Sequence, residues 1–188
     1  MKYYKLIMDD SKKDDIICHS SLPFNIDSNI FQRGEIYTDL NARFEFYYDV
    51  KEGSRFTDYL ANDNGWLLVS ERLRDALMKL NTDIQFFPAL IKEKKENGAS
   101  ALYFIANVIR VVDAICLEHS NYFETDLPGI GTIPTISKYA IYHEKTHNSD
   151  MFKLKKWQNT PIFVSERFYQ IVEIEKLTGM DFSNVITV

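Results

Sequence analysis

Residues His143-Glu144-Lys145-Thr146-His147 match H-E-x-x-H, the pattern of zinc hydrolases. On an α-helix the two imidazoles lie one turn apart and can share a zinc ion. The glutamate then serves as general base toward a metal-bound water. Glu166 lies downstream, where a third carboxylate ligand would come from. That chemistry needs a secure helix, and the flanks do not supply one. Lys138-Tyr139-Ala140-Ile141-Tyr142 is as good a strand as a helix, and Asn148-Ser149-Asp150 reads as a turn directly after the second histidine. The plain reading is two surface histidines flanking a β-turn. A zinc-dependent hydrolase using His143, Glu144 and His147 therefore stands as the alternative function. The leading reading assigns no metal, no cofactor and no catalytic residue.

Other reactive residue types are weaker still. Asp113, Cys116 and His119 have the makings of a cysteine nucleophile with its base, but they cluster around an apolar run and read as packed core beside a polar loop. Cys18 and Cys116 are the only cysteines, with neither metal-ligand spacing nor a disulfide framework. The chain has no glycine-rich phosphate loop, no G-x-S-x-G elbow and no basic stripe with interleaved aromatics. Ser70 and Ser165, each followed by Glu and Arg, look catalytic at first sight and have a structural explanation.

That explanation is a repeat. Trp66-Leu67-Leu68-Val69-Ser70-Glu71-Arg72-Leu73 reappears as Pro161-Ile162-Phe163-Val164-Ser165-Glu166-Arg167-Phe168. In each copy a short β-prone run meets a serine suited to cap a helix, and a glutamate falls in the first turn, where the helix dipole favours it. Leu73, Ala76, Leu77 and Leu80 then form an apolar stripe at helical spacing, as do Phe168, Ile171 and Val172. Gly179 is the expected helix stop in the second copy. Ile84-Gln85-Phe86 and Met180-Asp181-Phe182 follow the two helices.

The remaining segments read mainly as strands: residues 2–8, Phe44 to Tyr48, a hairpin or two linked strands within Ala101 to Ile115, and residues 139–143 and 151–155. Loops fall at residues 9–15, at Lys92 to Gly98 and at Pro128-Gly129-Ile130-Gly131. Strands outnumber helices and do not alternate with them. The expected fold is α+β, with a mostly antiparallel or mixed sheet and two strand–helix cassettes, around 66–86 and 161–182, packed against it. The turn Asn62-Asp63-Asn64-Gly65 is the best internal boundary. It separates an acidic β-rich N-terminal lobe or extension (1–64) from an α+β core (65–188).

The chain of 188 residues is rich in aromatics, with eleven Tyr and thirteen Phe. Residues 1–64 carry twelve acids and eight bases, and so hold −4 of the net charge of −5. This balance argues against nonspecific nucleic-acid binding and fits a basic partner or a merely soluble acidic surface. No apolar run approaches the roughly 20 residues that span a bilayer. The N-terminus does not read as a secretory signal, so a cytoplasmic protein is expected.

Several segments in order resemble the immunity protein family eleven of bacterial polymorphic toxin systems, formerly a domain of unknown function. They are Trp66 to Leu73, Phe86-Phe87-Pro88-Ala89-Leu90-Ile91, Tyr103 to Ile115 with Glu118 and Ser120, Ile162 to Phe168, and Leu177 to Phe182. The resemblance covers residues 65–182 and does not include the H-E-x-x-H segment. It implies a non-enzymatic protein, encoded beside a toxin, that binds the toxic domain and blocks its active site or substrate groove. The expected partner is a cognate toxin domain with a cytoplasmic target, such as a basic nuclease. Neither nucleic acid nor membrane is expected as a partner, and monomer or homodimer remains open. The charge balance puts the expected contact face on the N-terminal third, at Asp39, Glu45, Tyr47, Asp49, Glu52 and Asp58.

Overall fold

Short β-prone runs broken by polar turns give a chain of many brief strands and two helices. A computed structural model describes residues 1–9, 11–20, 26–40, 42–95, 98–127, 129, 131–155 and 161–188. In chain order the elements are β1 (Tyr3–Met8), β2 (Ile17–Ser20), β3 (Phe44–Tyr48), β4 (Tyr59–Asn62), β5 (Leu68–Val69), α1 (Glu71–Met78), β6 (Ile84–Glu93), β7 (Ser100–Val108) and β8 (Val111–Val112). They continue with β9 (Asn121–Leu127), β10 (Gly131–Lys138), β11 (Ala140–Ile141), β12 (Met151–Leu154), β13 (Phe163–Ser165), α2 (Glu166–Glu175), β14 (Met180–Asn184) and β15 (Ile186–Thr187). Single 3-10 turns lie at Ile30–Gln32, Leu117–His119 and His143–Thr146.

The fold is α+β with mixed sheets. Six strands close a barrel in the order β2-β3-β6-β7-β5-β4, and five form an open sheet in the order β14-β1-β13-β12-β8. The barrel wraps a core that includes Phe31, Phe44, Phe46, Trp66 and Ile105. The turn at 62–65 joins β4 to β5, which pair with each other inside that barrel. β1, from the same N-terminal third, pairs with β13 and β14 in the open sheet. Residues 1–64 thus contribute strands to both sheets.

Five strands of the barrel and the five of the open sheet share one pairing pattern. In both, a parallel pair leads into an antiparallel one: β2 beside β4 and β4 beside β5, matched by β8 beside β12 and β12 beside β13. Leu68 faces Ile105 across β5 and β7 as Phe163 faces Lys5 across β13 and β1. The amides of Ala106 and Leu6 donate to the carbonyls of Leu67 and Ile162 at 2.8 and 2.9 Å. Phe86 and Phe182 sit across from Ala106 and Leu6 in the next strands, β6 and β14. The strand in β7's place is β1, which precedes the first repeat in the chain. The repeats are therefore interlocked: the N-terminal strand completes the C-terminal copy.

What fixes this arrangement is a pair of buried aspartates, one before each cassette. Ser70 Oγ accepts from the Leu73 amide (3.2 Å), capping α1, and donates to Asp58 Oδ1 (2.7 Å). Asp58 Oδ2 then accepts from the Thr178 amide (2.9 Å), just beyond the end of α2. The second copy mirrors this. Ser165 Oγ accepts from Phe168 N and donates to Asp150 Oδ1, whose other oxygen accepts from the Asn81 amide (2.9 Å), just beyond the end of α1. Each aspartate thus ties the start of its own helix to the end of the other. Leu73, Leu77, Phe168, Val172 and Leu177 pack between the repeats as the shared core.

One local expectation is corrected. The helix α2 stops at Glu175, with Lys176 in the left-handed region, and not at Gly179. The buried Leu177 closes the end by donating to the Val172 carbonyl at 3.0 Å. Gly179, at φ 85°, is needed because the chain passes so close to β4 that a Cβ would press into the Tyr59 carbonyl oxygen. The apolar run 101–115 holds two linked strands, β7 and the short β8, and the hairpin partner of β7 is β6. The loop expected at 128–131 includes residues 128 and 130, which lie outside the described residues. Among the described residues no helix is long and apolar enough to cross a membrane.

Asp150 is 1% exposed, whereas its guanidinium partner Arg167 is 53% exposed. The work therefore falls to the hydroxyl and amide bonds and not to the ion pair. Asp150→Ala should lower the unfolding free energy by about 3–5 kcal/mol, because it leaves buried donors unpaired. Arg167→Gln should cost less than about 1 kcal/mol. Urea denaturation of the two variants measures both, and equal losses would contradict this division.

Candidate functional site

The H-E-x-x-H segment folds as a 3-10 turn over His143–Thr146, and His147 follows in the left-handed region at φ 53°. Without an α-helix the i, i+4 relation that would bring both imidazoles to one ion is lost. The turn is held structurally: the buried Thr146 hydroxyl meets Tyr3 Oη at 2.7 Å, and the His143 amide donates to the Val188 carbonyl. Among the described residues no three His, Cys, Asp or Glu side chains converge as a metal site. Glu166 sits in the first turn of α2. The geometry gives the zinc-hydrolase alternative no support.

Cys116 is fully buried, while Asp113 and His119 face solvent on either side of it. The three do not form a nucleophile set. Ser70 and Ser165 are spent as helix caps, as described above.

The acidic residues of the N-terminal third meet different fates. Asp58 is buried and belongs to the clamp, so its carboxylate is not on the surface. Glu45 is paired with Lys92 Nζ (2.8 Å) and Arg43 Nε (3.1 Å), and Tyr47 Oη donates to it at 3.0 Å. The Lys92 hydrogen bond leads in holding the Glu45 carboxyl below the usual carboxylate range, with Tyr47 next. Glu52 meets His19 Nε2 at 2.9 Å. Asp49 accepts from the Lys51 amide, and Asp39 accepts from the Thr38 hydroxyl. Glu45 and Tyr47 share the outer face of β3, Asp49 and Glu52 follow in the next turn, and Asp39 lies in the loop before the strand.

A feature not legible as a site in the sequence is the ribbon formed by β9 and β10. The two strands pair only with each other among the described residues, in register from Gly131 opposite Leu127 to Ile136 opposite Tyr122. Both faces are open to solvent: Phe123 is 58% exposed and Tyr122, on the opposite face, 42%. Glu124 and Asp126 are exposed beside them. The usable signal was the run of β-prone Tyr, Phe, Thr and Ile on both sides of Pro128-Gly129.

A second unanticipated residue is Lys153 on β12. It is 3% exposed, and its Nζ donates to the Phe31 carbonyl at 2.6 Å. Burial lowers its pKa to about 8.

The family model described as "Immunity protein family (Imm11)" matches residues 2–187. The match therefore takes in the N-terminal third along with both cassettes. No curated protein matches the chain.

The depressed pKa of Lys153 makes a signed prediction. A lysine ionises more easily in the unfolded chain than in this site. Its charge therefore opposes folding below pH 8, by about 3 kcal/mol, and the penalty fades as the pH rises from 8 toward the unfolded value of about 10.4. Lys153→Met should be more stable than the parent at pH 7, with the gap narrowing across that window. Chemical denaturation at pH 7 and pH 10 checks it, and a pH-independent gap would contradict the assignment.

Proposed function

This chain belongs to the immunity protein family Imm11, and on that premise we propose that it is a non-enzymatic inhibitor that binds the toxic domain of a cognate toxin. It acts by covering the active site or substrate groove of that domain, in the cytoplasm. The observation that carries the contact surface is the β9–β10 ribbon. A two-stranded ribbon solvated on both faces is marginally stable alone. Aromatic side chains exposed on such an element are the type that dominates binding energy when a partner buries them. Phe123 and Tyr122 are the anchors, and Glu124 and Asp126 supply the negative rim. The net charge of −5 suits a basic, nuclease-like cleft and speeds encounter with it.

A second surface is the acidic face at Asp39, Glu45, Tyr47, Asp49 and Glu52, favoured by the charge balance of the N-terminal third. Its Glu45 is partly neutralised by Lys92 and Arg43, and Glu52 is hydrogen-bonded to His19. That suits steering better than anchoring. Asp58 drops out of this set because its carboxylate is internal.

Purified with the toxin domain encoded beside it, the chain is expected to form a stoichiometric complex and to restore growth on co-expression. Phe123→Ala with Tyr122→Ala should slow growth rescue and weaken binding by at least about 2 kcal/mol. Charge reversal at Asp39, Asp49 and Glu52 should mainly lower the association rate at low salt. Unchanged affinity in the aromatic double variant, with loss in the charge-reversed one, would move the anchor to the N-terminal face. Failure to bind any neighbouring toxin domain would overturn the inhibitor reading.

A further inference from the structure

The two outer edges of the β9–β10 ribbon are not equivalent. In an antiparallel pair, residues alternate between two kinds. Some exchange amide and carbonyl with the residue opposite, and the others turn both groups outward. Pro134 lies opposite Glu124. Proline has no amide hydrogen, so this pair is of the outward kind. The same alternation turns the main-chain groups of Tyr122 and Asp126 outward on β9, and those of Thr132 and Ile136 outward on β10. The β10 edge is thus interrupted midway by a residue that cannot donate, a device that closes an edge to further strands. The β9 edge has no such break. Among the described residues no backbone carbonyl accepts from the amides of Tyr122, Glu124 or Asp126.

The side chains beside this open edge select what can pair with it. Tyr122, Glu124 and Asp126 share one face of the ribbon, and all are exposed. A second copy of β9 is a poor partner. The full-length antiparallel register would oppose Glu124 to Glu124, and a two-residue slip toward Leu127 would oppose Glu124 to Asp126. Like charges directly opposite one another are destabilising. The opposite slip leaves Asp126 outside the pairing. A basic strand meets the same positions with opposite charge. Resting on the inhibitor reading above, we propose that an edge strand of the cognate toxin domain adds to β9, main chain to main chain. That strand carries Lys or Arg at the two alternate positions facing Glu124 and Asp126, and an apolar residue facing Tyr122. In strand addition the main-chain bonds supply affinity and the alternate side chains supply specificity. A third strand also steadies a ribbon that is marginal by itself.

Two variants at one position separate the main chain from the charge. Glu124→Pro removes an outward amide that the ribbon itself does not use. Glu124→Ala removes the same charge and keeps the amide. Calorimetric titration of the full chain with the toxin domain encoded beside it should show Glu124→Pro binding at least about tenfold more weakly than Glu124→Ala. Amide exchange of the parent chain, followed residue by residue by NMR, gives a readout that no substitution disturbs. On complex formation the amides of Tyr122, Glu124 and Asp126 should gain more protection than those of Thr132 and Ile136. A tight complex with equal affinities for the two variants, and no such preference for the β9 amides, would overturn strand addition and leave the inhibitor reading standing. A parent chain that does not bind the toxin domain at all would overturn both.

Discussion

Two buried carboxylates hold this fold together. Asp58 and Asp150 each take a helix-capping serine from one repeat and a backbone amide from the other. A buried carboxylate is tolerable only when its lone pairs are filled. The groups around each aspartate are therefore fixed in one geometry, and the ends of α1 and α2 are set relative to one another. Pairing of β1 with β13 and β14 closes the same loop through the backbone. An apolar interface alone would allow the repeats to slide, whereas these bonds specify a single register.

A scaffold so tied leaves few elements free. The β9–β10 ribbon is inserted between β8 and β12 of the second repeat, in the stretch that corresponds to β3 in the first. In the first repeat β3 lies between β2 and β6 and closes the barrel. The second repeat has no such closure among its described residues, and its sheet stays open. The missing closure and the inserted ribbon fall in the same stretch of the second repeat. That is the kind of asymmetry by which a duplicated fold acquires a binding element without disturbing its core.

Much of this was legible in the residues. Ser70 and Ser165 read as caps because each follows a β-prone run and precedes a helical stripe, and capping depends on neighbours in sequence. Phe44 to Tyr48 alternates cleanly and forms β3. The histidine motif was legible as a turn from Asn148-Ser149-Asp150 behind it. The arginines of the two cassettes were not explained until Arg72 met Asp58 and the Glu175 carbonyl, and Arg167 met Asp150 and the Asn148 carbonyl. The aspartates lie 12 and 15 residues upstream of their serines, too far for a local rule. A faint signal was present in Thr57-Asp58-Tyr59-Leu60 and Ser149-Asp150-Met151-Phe152, which share a hydroxyl-Asp-large-apolar pattern. Asp58 seemed a surface acid because net charge says how many acids a segment has and nothing about which are buried. Lys153 was hidden for the converse reason: periodicity marks a buried position, but a lysine there breaks the pattern.

Hydrogen exchange of the free chain and of its complex with the neighbouring toxin domain tests the central claim that a rigid, doubly clamped scaffold presents one free ribbon. The account predicts slow exchange at the amides of Leu73, Asn81, Phe168 and Thr178 in both states. It predicts fast exchange along β9 and β10 in the free chain, with strong protection there in the complex. A ribbon that exchanges alike in both states, with new protection confined to residues 39–52, would contradict it.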